Sequence, residues 1–101
     1  MLFFLDISVD SKDLSLDQLW EAWEAETEAA RGAVEAGVAK ALFKVVGERR
    51  VLAIVDMPDH ASLDRMLMAG LPMADNLIMN EVAALRPYED FAEDIKARWQ
   101  A

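Results

Sequence analysis

Leu42 to Pro72, LFKVVGERRVLAIVDMPDHASLDRMLMAGLP, decides the fold of this chain. Two short β-rich apolar runs, Leu42 to Val46 and Val51 to Met57, flank Gly47-Glu48-Arg49-Arg50, which is the pattern of a hairpin. Met57-Pro58-Asp59 leaves the second strand and offers Asp59 as a helix N-cap. Leu63, Met66 and Leu67 then recur at helical spacing until Gly70 ends the helix and Leu71-Pro72 stops it.

Upstream, Phe3, Leu5, Ile7 and Val9 alternate with Phe4, Asp6 and Ser8, so Met1 to Val9 reads as a strand with one core-facing side. The other side faces solvent, or lines a pocket or a subunit interface. Leu16 to Ala36 is the longest helix, capped by Ser15 or Asp13 and ended by Gly37. Leu16, Trp20, Trp23, Thr27, Ala30 and Val34 form its expected apolar stripe, with Leu19 on the flank and Ala22, Ala25, Ala29 and Ala33 as a second strip of small residues. At about 100° per residue, Glu21, Glu24, Glu28 and Glu35 group on a solvated side. Glu26 instead falls between the stripe and the alanine strip. It is either a boundary residue reaching water or a partly dehydrated carboxylate whose pKa rises toward that of a working base.

Strict alternation from Ala39 to Val46 places Lys40, Leu42, Lys44 and Val46 on one face and Ala41, Phe43 and Val45 on the other. The two lysines, with Arg49 and Arg50 in the turn, form the one concentrated positive region of the chain. They would receive a carboxylate or carbonyl, or else guard a sheet edge. Val51 to Met57 is apolar on both faces up to Asp56, which predicts a strand central in its sheet or lying under a dimer partner. His60 falls in the first turn of the next helix and is expected to be exposed. Asp75 to Leu85 is the last strand, with Leu77, Met79, Glu81, Ala83 and Leu85 on one face and Ile78, Asn80, Val82 and Ala84 on the other. Pro87 opens a terminal helix whose stripe is Tyr88, Phe91, Ala92, Ile95 and Trp99. That stripe needs a groove, on a partner subunit or on the chain's own sheet.

The 101 residues make a single domain, 1–101, of α+β class in the ferredoxin-like order β-α-β-β-α-β with an extra C-terminal helix at 88–101. Helices cover one sheet face, and the other is too apolar for water, so two sheets facing each other as a dimeric α+β barrel is the expected arrangement. The net charge of −9 argues against nucleic acid and against an anionic membrane surface. With no cysteine, thiol nucleophiles, disulfides and thiolate metal sites are excluded. A lone histidine makes a histidine-based metal site unlooked for. No apolar run reaches the roughly 18 residues that a bilayer span needs, and MLFFLD lacks the basic start of a signal peptide. The expectation is a cytoplasmic protein forming a homodimer or higher homo-oligomer and binding a small molecule, without a metal.

Lys44-x-x-Gly47, the strand end at Asp56, the short helix and Leu71-Pro72 together resemble the muconolactone isomerase family of small dimeric α+β barrels. The similarity extends back through Glu26 and Gly37 and forward to about Leu85. It implies a cofactor-free isomerase that shifts a proton within an unsaturated lactone or aromatic-derived metabolite. It also matches Glu26 to the family's acidic residue on the first helix. In that reading Glu26 is the base, and Lys44, Lys40 or Arg49 holds the carbonyl or a substrate carboxylate. Trp20, Trp23 and Phe43 wall the pocket. The chain departs from the family pattern at Trp23, where a lysine is expected, and at Ala41 and Glu48, where histidines are expected. These exchanges imply a greasier pocket and a different substrate, or no isomerase activity. The rival readings are a non-catalytic binding or assembly module and a cofactorless monooxygenase or polyketide cyclase on the same scaffold.

Overall fold

The computed structural model describes residues 1–98, so Trp99 of the terminal stripe lies outside the described residues. The elements run β1 (Leu2–Val9), α1 (Leu16–Glu35), β2 (Ala39–Lys44), β3 (Arg50–Asp56), α2 (His60–Arg65), β4 (Leu77–Leu85) and α3 (Tyr88–Ala97). Met66–Gly70 continues α2 as a π-helical turn, and Ala74–Asn76 is a 3₁₀ turn leading into β4. The four strands form one antiparallel sheet in the order β2-β3-β1-β4, the ferredoxin-like arrangement read from the sequence. β3 lies between β1 and β2, as its two-sided apolarity predicts.

Local chemistry sets the ends of the elements. Ser15 and Gln18 form a reciprocal capping box at the start of α1, with Ser15 Oγ accepting from the Gln18 N–H at 3.2 Å and Gln18 Oε1 accepting from the Ser15 N–H at 2.9 Å. At its end Gly37 adopts a φ of +77°. The Val38 N–H then reaches Ala33 O at 2.9 Å and the Gly37 N–H reaches Val34 O at 3.1 Å, the paired bonds of a Schellman cap. Asp59 caps α2 by accepting from the Ser62 N–H at 2.7 Å. Gly47, with a φ of +78°, turns the β2–β3 hairpin, which closes through Val45 N–H to Arg50 O at 3.0 Å.

Both helices pack on one face of the sheet. Phe3, Leu5 and Ile7 of β1 join Ala53 and Val55 of β3 and Leu63 of α2 in the main core, while Val9, Leu19 and Met73 form a second cluster under α1. Alternation fails on both outer strands. A register shift separates Ala39, opposite Val55, from Ala41, opposite Ile54, so Lys40 sits in a bulge and does not share a face with Leu42 and Lys44. A second shift, between Asp6 and Ile7 on β1, places Asn80 between Met79 and Glu81 without a partner across the ladder. Beyond it Glu81 and Ala83 oppose Asp6 and Phe4 on the far face, whereas Met79 opposes Ile7 on the core face. One extra residue in each strand reverses the faces that strict alternation assigns.

The far face carries a buried charge. Asp6, 8% exposed, accepts from Arg50 Nε at 2.8 Å, from the second Arg50 guanidinium nitrogen at 2.6 Å and from Asn80 Nδ2 at 3.2 Å. These hydrogen bonds, with the Arg50 charge, hold the Asp6 carboxyl down at about 2. Around this pair the face is apolar and open, with Phe43, Ile78 and Leu85 exposed. α3 has no buried residue, and Tyr88 and Ile95 of its stripe are exposed. The molecule measures 57 × 25 × 21 Å with a radius of gyration of 16.2 Å, against roughly 13 Å for a compact chain of this length.

Candidate functional site

The first helix is turned relative to its expected stripe. Leu16, Trp20 and Val34 are each about half exposed, and Thr27 is exposed. The residues that turn inward are Leu19, Ala22, Trp23, Glu26, Ala29, Ala30 and Ala33, at spacings of three and four. Leu19 is fully buried against Val9 and Met73. Small alanines on this face fill little volume, so a gap remains between α1 and the sheet, with Glu26 midway along it.

That gap consists of two adjoining spaces. An inner chamber of about 120 Å3 lies between α1, the core face of the sheet and the segment from Met66 to Leu77. An outer cleft of about 560 Å3 opens between α1 and the β2–β3 hairpin. Trp23, Glu26, Ala30, Leu42 and Val51 line both. Glu26 is the one ionisable side chain lining the chamber.

Its Oε2 is buried and has no hydrogen-bond partner among the described residues. Burial pushes the Glu26 carboxyl above its ordinary value, opposed in smaller part by the backbone N–H of Met73. The dehydrated carboxylate anticipated at position 26 is therefore present, at the centre of the inward face and not at its edge.

The hairpin rim of the cleft carries Lys44, Glu48 and Arg49. Lys44 Nζ donates to Val45 O at 2.8 Å, and the Arg49 main-chain carbonyl accepts from the Val9 N–H at 2.8 Å, so the turn is tied to the sheet. Trp20 and Trp23 form an aromatic wall, the two indoles 6.2 Å apart and inclined at 42°, while Phe43 borders the cleft from a strand position opposite Leu52, on the far face of the sheet. The structure thus brings six of the seven expected site residues to one cleft: Trp20, Trp23, Glu26, Phe43, Lys44 and Arg49.

Lys40 is the exception. Its bulge directs it toward the opposite end of the sheet, where it lies near Gly37 and adds a small pull to Asp56, whose carboxyl is held down chiefly by the amino group of Met1 at 3.0 Å. Arg50 likewise leaves the turn's positive cluster, because its place on the far face pairs it with Asp6. Asn80 goes to Asp6 and Ser8, and His60 stacks edge-on against Phe3 at 5.8 Å. Met66, Leu67 and Met73 line the chamber, although in sequence they read only as helix stripe and helix stop.

No cluster of three or more His, Cys, Asp or Glu side chains with metal-binding geometry occurs among the described residues, and no helix among them is long and apolar enough to cross a membrane. The family model for muconolactone delta-isomerase matches residues 1–90. The chain belongs to the muconolactone delta-isomerase family. A crystal structure of muconolactone isomerase at 3.3 Å resolution superposes with a TM-score of 0.74 at 24% identity, covering 86% of this chain and 90% of the other. At that identity the likeness shows the fold. No curated protein matches the chain in sequence.

Proposed function

We propose that the chain is a cofactor-free isomerase that moves a proton within an unsaturated lactone or a related ring, with Glu26 as the base. The observation that carries this reading is the buried, unpartnered Glu26 Oε2 facing an otherwise apolar chamber. A carboxylate stripped of water is a stronger base toward a carbon acid, and its raised pKa narrows the gap to that acid.

In the proposed cycle Glu26 takes the proton from the carbon next to the ring carbonyl, the C–H pair flows into the ring, and negative charge collects on the carbonyl oxygen. Lys44 and Arg49 on the rim of the adjoining cleft supply positive charge toward that oxygen. Glu26, once it has traded protons with solvent, then delivers one two carbons away, so the double bond migrates and the substrate keeps its composition. Trp20 and Trp23 screen the ring from water. Membership of the family, the fold and the cleft support the reading.

The test is proton exchange in heavy water, followed by NMR on a β,γ-unsaturated butenolide. Glu26→Gln should lower the rate by about 10²- to 10⁴-fold, the usual worth of a positioned base, while ligand quenching of tryptophan fluorescence persists. A binding or assembly module would quench without exchanging in the wild type, and an active Glu26→Gln protein would remove the base assignment.

We further propose that a second copy covers the apolar far face of the sheet and that α3 docks across it. The exposed Phe43, Ile78 and Leu85 and the unburied stripe of α3 support this. The Asp6–Arg50 pair amid them would fix the register of the two sheets.

A further inference from the structure

The division of the site into chamber and cleft restricts what can be bound, beyond the class of reaction. An apolar cavity of about 150 Å3 holds benzene, so the chamber of about 120 Å3 admits one small ring and little else. The cleft of about 560 Å3 lies within the range of small-molecule sites, about 300–1,000 Å3. It is far larger than a short side arm on that ring requires.

The two spaces also differ in chemistry. Apart from Glu26 the chamber is walled by aliphatic and methionine side chains, with Trp23 at its mouth. A carboxylate carried on the ring would enter a space that already holds one negative group and offers no cation, which costs both desolvation and repulsion. The cations lining the site, Lys44 and Arg49, stand on the hairpin rim beside Glu48. Between chamber and rim lie the indoles of Trp20 and Trp23, and Trp20 is 51% exposed. Exposed aromatic faces beside a dry chamber suit a planar aromatic body.

We propose that the ligand has two parts: an unsaturated lactone or enone ring seated in the chamber against Glu26, and a bulky aryl substituent packed against Trp20 and Trp23 in the cleft. On this account a short acid arm on the ring is disfavoured. The inference rests on the proposed base chemistry for its ring type and on the cleft alone for the aryl part.

The test compares three β,γ-unsaturated butenolides that differ only at the ring substituent, phenyl, methyl or carboxymethyl, with the full chain. Binding is read by tryptophan fluorescence and turnover by proton exchange. The phenyl compound should bind about tenfold more tightly than the carboxymethyl one and exceed it about tenfold in kcat/KM, the scale on which an apolar pocket discriminates. Trp20→Ala should lower the phenyl-over-methyl ratio of kcat/KM several-fold. Preference for the carboxymethyl compound would overturn the ligand class and leave the isomerase reading intact. Tight phenyl binding with no exchange of any compound would sustain the ligand class and sink the base chemistry. Failure of the phenyl compound to bind would overturn the proposal.

Discussion

Glu26 should set activity against stability in opposite directions. Glu26→Met replaces a half-buried carboxylate by an apolar chain of similar volume in a chamber already lined by Met66 and Met73. A buried polar atom without a partner costs about 1–3 kcal/mol. The lower end applies, because the side chain is only partly buried and the Met73 N–H draws on it. A gain of about 1 kcal/mol corresponds to roughly 4–8 °C in Tm for a domain of this size. The pH dependence carries a defined sign. Because the folded pKa is raised, the wild type has its full relative stability below the ordinary value of 4.5 and loses it as pH rises through the folded value. Methionine does not titrate, so the advantage of the variant should be small in acid and grow toward neutral pH. Calorimetric Tm values for both proteins across about pH 4 to 8 check this, and proton exchange should fall as for Glu26→Gln. A variant less stable than wild type at neutral pH, or a gap indifferent to pH, would refute the picture of a strained, dehydrated base.

Other expectations follow from the packing and the far face. Leu19→Ala, at a fully buried position, should cost about 2–5 kcal/mol in urea unfolding; a loss well below that range would mean that α1 rests on the sheet elsewhere. Asp6 has a depressed pKa, so its contribution is present above its ordinary 3.8 and disappears as pH falls through about 2. Asp6→Asn should therefore be clearly less stable than wild type at neutral pH and converge on it in strong acid, as followed by circular dichroism. Ending the chain at Pro87 should reduce the mass in solution to that of one subunit, by light scattering, while leaving the circular dichroism of the sheet. A fully dimeric shortened chain would remove α3 from the interface.

Much of the fold was legible because its signals are local. The Gly47 turn, the Asp59 cap, the Ser15 cap and the Gly37 stop each depend on a few adjacent residues, and each stands where the sequence places it. The rotation of α1 was not legible. Its larger apolar residues, Leu16, Trp20 and Val34, make the more hydrophobic stripe, and nothing local reveals that the smaller strip turns inward. The reason is tertiary: alanines let the helix sit over the sheet while leaving space for a cleft, and the tryptophans become its wall. Lys40 was misplaced for a related reason, since a bulge depends on the partner strand's register and leaves no mark on Ala39-Lys40-Ala41 itself. The partly buried setting of Glu26 was legible because its oddity is local, a carboxylate apart from the other acids of its helix.

The two bulges lie on the strands that border the sheet, one on β2 and one opposite β1 on β4. An interrupted ladder at each margin makes a poor template for another strand, so sideways growth into ribbons is discouraged on both flanks. In the proposed dimer, association would run through the broad face instead and stop once that face is covered.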